Sequence, residues 1–518
     1  MSPSTLITLI SLVLAVYALL PRDRKLELQL KWTMLDRSVI LLVLALLHYL
    51  VFFSVFQALG LAPDLGPYRW GFNSELTAYT ALMFLGIWLG VRSAFGGLSA
   101  GRIGVFRKLA VEWLNQGRYS DLNTLLSRHW PQLMSIYHDN SLVGRWRRAW
   151  SPTPLPVFFG DEPIGKPSFP VRFKSWAGSF LPNHSEERRE ASEAVQWLLT
   201  SKPFVRAMAQ ATPALGLTLL QTKFVERKTF QRIWLCALLD DTDSVLYREI
   251  EHNQIGRADG NGRGVRYEFS PARPVLWFYF ERVKRSEELA LFKTVGDYTN
   301  RFFDDRFQQR SDRFNEPLER YPELELDTCP VNASLRLFDF MISESQFQGI
   351  HWHMWLMYFT TFSRKIERNL APTESVDLDA ETPTPYHYQL REILSLLCQW
   401  IENTRDLAVD AFVHEERSIS FQASLALARV LIDLLMSDHL DGTFKVSLLD
   451  GVLGRASDWT HHEHSLQCLN TFVEALENGP RDVQNGENWM QRLGNYARRV
   501  DDHTQYELRE VLLVFKNA

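Results

Sequence analysis

Asp458, His461, His462 and His464 form the one local histidine cluster in the chain. Asp458, His461 and His464 recur every three residues, so a helix would carry them on one face, where three such ligands could hold zinc. Neither a cysteine partner nor an HExxH pattern accompanies them, and a polar helix start with Asp458 near the cap explains the same residues. His414-Glu415-Glu416 is not followed by the second histidine of a zinc-protease helix. His351 and His353 are two apart, which places them on different faces of a helix and not in a metal-binding pair. The turn at residues 258–264 (ADGNGRG) begins like a calcium loop with Asp259 and Asn261, but Ser270 stands where the closing glutamate belongs and Arg263 occupies a ligand position. It also lacks the Lys-Ser/Thr ending of a phosphate loop. The sequence shows no GxSxG elbow and no dinucleotide fingerprint. No catalytic residue, cofactor or small-molecule ligand is therefore assigned. Asp458, His461 and His464 stand as weak metal candidates.

His48 poses a different question, because it lies in the most apolar stretch of the chain. Residues 38–59 (SVILLVLALLHYLVFFSVFQAL) number 22 and contain no acidic or strongly basic group. A helix rising about 1.5 Å per residue covers roughly 33 Å over that length, enough to cross a bilayer. An ionisable residue at that depth is costly and marks a functional position by default. With no acidic partner in neighbouring apolar stretches it makes no proton relay, and a neutral histidine bonded to an adjacent helix is the simpler reading.

Two further stretches, 5–20 and 76–91, have 16 residues each and complete an expected set of three spans. The first is read as a retained anchor and not a cleaved signal, since its positive charge follows the apolar run instead of preceding it. Orientation follows from basic residues in the short connections. Arg22, Arg24 and Lys25, with Lys31 and Arg37, precede the second span, whereas the next loop holds only Arg69. Arg92, Arg102, Arg107 and Lys108 follow the third span. The two basic sides lie two crossings apart, which puts the N-terminus outside and the large C-terminal body in the cytoplasm, at a cell inner membrane. These arginines and lysines are the expected membrane-interface residues, with Trp32, Tyr68 and Trp70 as interfacial aromatics.

The chain has 518 residues, 46 % apolar and 23 % charged, the mix of a folded protein. A formal charge of −5 argues against a general nucleic-acid surface. Cys236, Cys329, Cys398 and Cys468 are far apart, giving neither a zinc ribbon nor a disulfide framework, and they fit a reducing compartment.

Beyond the anchor (1–95) the pattern is helical. Within a juxtamembrane region, 101–150, Ile103, Phe106, Ala110, Trp113 and Leu114 form an apolar stripe interleaved with Arg102, Arg107 and Lys108. That stripe suits either a helix lying on the inner membrane surface or the first core helix of the soluble body. Arg145 to Trp150 (RWRRAW) is the most basic patch. Residues 151–182 begin with a proline-rich boundary segment. A helical domain is expected over 183–370, with apolar core runs at 275–280 (VLWFYF) and 349–362 (GIHWHMWLMYFTTF). An acidic Pro/Thr loop or linker follows over 371–385, then a C-terminal helical domain over 386–518. The fold class expected is all-α: three N-terminal transmembrane helices and a large cytoplasmic bundle or α-solenoid-like body, without a fixed repeat period.

The expected function is a membrane-anchored scaffold or sensor whose helical body binds protein partners or a second copy, the bilayer being its other partner. An effector of membrane permeability in a bacterial stress or defence response, and an enzyme or transporter subunit without a recognisable motif, are the alternatives.

Overall fold

A computed structural model describes residues 26, 30, 34–61, 74–95, 98–140, 145, 185–253, 257–258, 265–267, 269–307, 313–318, 329–350, 354–378, 380–403, 419–480 and 489–500. Residues 5–20, with Arg22, Arg24 and Lys25, lie outside them, as does the proline-rich segment. The fold is all-α, apart from one two-residue antiparallel ladder pairing Arg257 with Arg266 and Ala258 with Val265. The chain divides into two units, residues 1–211 and 212–518.

The first unit opens with a hairpin. α1 (Met34–Val51) and α2 (Phe53–Ala58) carry the stretch expected as the second span, with a break at Phe52. α3 (Ser74–Phe95) carries the third. Val43, Leu47 and Leu50 on α1 pack with Ala78 of α3, joined by Leu82 and Leu85, so only one face of each helix is buried.

After a 3-10 turn, Ala100–Arg102, α4 (Ile103–Asn115) begins. It packs against α5 (Tyr119–Tyr137) and α6 (Ser185–Thr200), while α7 (Lys202–Ala211) closes on α5 and α6. Gly117, just past the end of α4, has a φ of +68° that fits a left-handed cap, and the Arg118 amide reaches back to the Trp113 carbonyl at 2.9 Å. Ile103, Phe106, Leu109, Ala110 and Trp113 are all buried. The apolar stripe is thus spent on helix packing, which decides for a core helix over one lying on a lipid surface. Ser185–Ala211 group with this first unit, a division that chain composition does not reveal.

The second unit starts with α8 (Pro213–Gln221), where Pro213 takes the first helical position after Thr212, whose side chain makes no capping bond. α9 (Arg227–Asp240), α10 (Val245–Glu251), α11 (Pro274–Phe280) and α12 (Val283–Glu288) surround one face of α14 (Pro330–Phe347). From α13 (Leu291–Phe307) onward the helices alternate between two layers. α13, α15 (Trp355–Asn369), α17 (Ile419–Met436) and α19 (Glu463–Asn478) touch in succession in one layer. α14, α16 (Pro385–Asn403), α18 (Gly442–Ser457) and α20 (Trp489–Ala497) do so in the other. Each helix contacts the one two places on.

Aromatic packing holds these layers together. Phe338 on α14 meets Trp355 edge-on at 4.5 Å between ring centroids and also touches Phe359 and Phe362. Gly296 lets α13 approach α15: a Cβ there would lie 2.2 Å from the Tyr358 ring. The loop before α16 is tied down as well. The Thr373 amide donates to the Asn315 carbonyl at 3.2 Å, and Asn315 Oδ1 accepts from the Ala371 amide at 2.8 Å. Both flanks of that loop belong to the second unit, so it does not link separate units.

Candidate functional site

Apolar exposure is concentrated in the hairpin. Of the 20 large hydrophobic side chains exposed among the described residues, 14 lie between Leu35 and Val91. Leu42 is 69 % exposed and Leu41 67 %, and Ile87 is 59 % exposed. A water-soluble surface scatters such residues singly, while a contiguous sheath of them calls for a covering partner or a lipid environment. Length and composition single out a different helix: α17 is the one described helix both long and apolar enough to cross a membrane by those measures, and 67 % of it is buried inside the second unit. It is a core helix, with Val430, Leu431, Ile432, Leu434 and Leu435 all buried.

The two hairpin helices are clamped at one end by a polar contact. Asp36, on the first turn of α1, is fully buried, and Trp88 of α3 donates its indole N–H to Asp36 Oδ1 at 3.0 Å. Arg102, in the 3-10 turn that follows α3, lies within electrostatic reach of Asp36 and of the exposed Arg37. Burial is the main influence lowering the Arg102 pKa; the neighbouring Arg37 charge adds to it, and Asp36 opposes it. Its Nη2 is buried and makes no hydrogen bond.

The other expected interface residues are used differently. Arg107 pairs with Glu193 at 2.6 Å and approaches Glu190 at 3.7 Å, both on α6. Lys108 is exposed beside it, and the two line a groove of about 910 Å³ with Glu112, Trp197 and Thr200. Arg92 falls in α3, and its side chain lies outside the described residues. His48 sits on the exposed side of α1, its ring 6.0 Å from that of Phe52, and not in the hairpin interior where the sequence placed its partner.

The histidine cluster does not converge. Asp458 and His461 belong to a 3-10 turn and are exposed, whereas His464 lies in α19 with its ring buried. Among the described residues no group of three His, Cys, Asp or Glu side chains is placed to hold a metal ion. His464 is desolvated, which lowers its pKa despite Glu463 nearby.

The most enzyme-like residue belongs to no sequence motif. Asp339 of α14 is fully buried, and burial pushes its pKa up. Tyr267 donates a short hydrogen bond to its Oδ2, Ser343 donates to Oδ1 at 3.2 Å, and Arg336 stands 3.9 Å away. Both carboxylate oxygens are taken up within the protein, so Asp339 pins the end of the small ladder to the central helix. In the stack, a groove of about 840 Å³ runs between α15 and α17, lined by Met357, Thr361, Arg364, Arg429, Asp433 and Met436. Arg364 crosses it to Asp433 at 2.8 Å.

Asp36, Trp88 and Asp339 carried no sequence signal, since each is a single residue whose partner is distant in the chain. Gly86 and Gly90 form a GxxxG pattern on α3. They face away from α1, and a Cβ at either position would meet nothing within 4 Å. No family model, no curated protein and no solved structure matches the chain.

Proposed function

We propose that the protein is a membrane-anchored scaffold or sensor, held by N-terminal spans at a cell inner membrane, whose helical stack binds protein partners on the cytoplasmic side. The observation that carries this reading is the apolar sheath around α1 and α3, exposed on the outside of a hairpin whose inner face is already packed. α3 has 22 residues, about 33 Å of helix, which matches a bilayer core. Asp36, Arg37 and Arg102 gather at one end of the hairpin, as the basic cytoplasmic side of the positive-inside pattern requires. The two-layer stack supports the second half of the proposal, because such arrays present extended surfaces to partners, and the α15–α17 groove is the partner surface inferred here.

Alkaline carbonate extraction of cells expressing the full chain tests the anchor. The protein is expected in the membrane pellet, and complete release into the supernatant overturns the reading. A photo-crosslinking residue at Met357, 60 % exposed beside the groove, tests the scaffold. Discrete adducts that Asp433→Arg abolishes are expected; a wild-type chain that yields none counts against partner binding there.

A further inference from the structure

At the basal end of the hairpin Arg102 lies within electrostatic reach of a second guanidinium, Arg37, and of Asp36, whose Oδ1 accepts the Trp88 indole N–H at 3.0 Å. Arg102 Nη2 is buried with no hydrogen-bond partner, although a guanidinium carries donors in a fork that matches phosphate geometry. A buried donor left unpaired is costly, so it marks a place where an acceptor belongs. Trp88 adds the amphipathic ring that favours the headgroup level of a bilayer. We propose that Arg37 and Arg102, beside Trp88, bind a phosphate group, supplied by the headgroup of an anionic phospholipid.

This assignment rests on the membrane reading of the hairpin and goes beyond it, from a generally basic edge to one defined site. The electrostatics agree: desolvation first, and the like charge of Arg37 second, disfavour the charged form of Arg102, and an anion between them relieves both. Asp36 opposes the shift without overcoming it. Arg107 does not compete for the same role, being engaged with Glu193 and Glu190.

The test uses the full chain purified in mild detergent, with lipid adducts counted by native mass spectrometry in equal mixtures of phosphatidylglycerol and phosphatidylcholine. Wild type is expected to hold the anionic lipid about fivefold over the zwitterionic one, a preference on the scale of a single charge-assisted contact. Arg102→Gln should bring that ratio close to one, and Arg37→Gln should lower it. Lys284→Gln, an exposed lysine of the second unit, should leave it unchanged. Equal ratios in wild type and Arg102→Gln overturn the site, and so does a loss of preference in Lys284→Gln, which would mean general attraction to charge. If Arg102→Gln does not fold, the exposed Arg37 carries the test. Excess inorganic phosphate separates the two sources of the ligand: adducts that persist support the lipid, and adducts that phosphate displaces while itself binding Arg102 overturn it. Carbonate extraction of the same cells separates the levels of failure. Wild type retained in the pellet without a lipid preference overturns this site alone, and wild type released overturns the membrane reading with it.

Discussion

Glu249 shows how much a single side chain can organise. It is buried below the first turn of α11 and accepts the amide protons of Val275 at 3.2 Å and Leu276 at 2.8 Å. Those donors have no partner within the helix, so a carboxylate from α10 caps them across 26 and 27 residues of chain. Burial raises its pKa, and the two amide bonds pull the other way. Glu249→Ala should cost about 1–3 kcal/mol, read as a lower denaturation midpoint, with Glu249→Gln costing less because one acceptor remains. His387 predicts a pH effect. Its Nδ1 meets Thr384 Oγ1 at 2.8 Å, its ring packs on Phe444, and burial together with Arg391 draws its pKa down from 6.5 to about 4. Between these values the unfolded chain binds the extra proton and the folded one does not. This contribution to stability is therefore complete above about pH 6.5 and declines as pH falls toward 4, by up to about 3 kcal/mol. Thermal melts across that range should show the decline, and His387→Leu should flatten its slope; an identical slope in the variant refutes the assignment. Neither residue was legible in the sequence. A histidine cluster can be seen in a string of letters, whereas a glutamate that caps a helix 26 residues away cannot.

Individual helices were easier to read than their surroundings. The apolar run 275–280 forms α11 in the core, and the aromatic run ending at Phe362 opens α15, with Trp355, Phe359 and Phe362 buried. For α4 the sequence left two surfaces open, and the deciding partner, α6, lies beyond the proline-rich segment. Close approaches between helices were likewise invisible. In α8 a Cβ on Gly216 would sit 2.2 Å from the Trp234 indole, which is itself fully buried and cannot retreat. Gly216→Ala should therefore destabilise the protein by about 1–3 kcal/mol through overpacking, although alanine favours helix in isolation. On the hairpin, Leu42 points outward, so Leu42→Arg should reduce the fraction recovered in the carbonate pellet, the cost of a mid-span arginine being about 2.5–3.5 kcal/mol. Unchanged recovery would be incompatible with a lipid-facing Leu42. Hydropathy by itself points to α17, and the distinction from α1 and α3 emerges only from what covers each helix.

At the scale of the whole molecule, the all-helical class was legible from periodicity, but the two-layer order was not. The helices of the stack range from nine residues in α20 to 19 in α16, so no fixed period repeats in the letters even though the contacts repeat in space. α20 touches the array through α18 and through Trp489, which donates to the Leu476 carbonyl at 2.7 Å at the end of α19. Ending the chain at residue 480 should leave helicity up to α19 largely intact and lower the melting temperature by only a few degrees, about what 1–3 kcal/mol does in a unit this large. A collapse of the circular-dichroism signal would show that the array is one indivisible core. The alternation of layers also carries a consequence for synthesis. Each helix from α14 onward contacts the helix two places back along the chain, so a docking surface already exists when it leaves the ribosome. α4 has no such advantage: it must wait for some 70 more residues before α6 arrives to cover it. The region next to the hairpin is thus expected to be the last part of the first unit to mature and the one most exposed to misassembly during translation, while the stack of the second unit grows to completion one helix at a time.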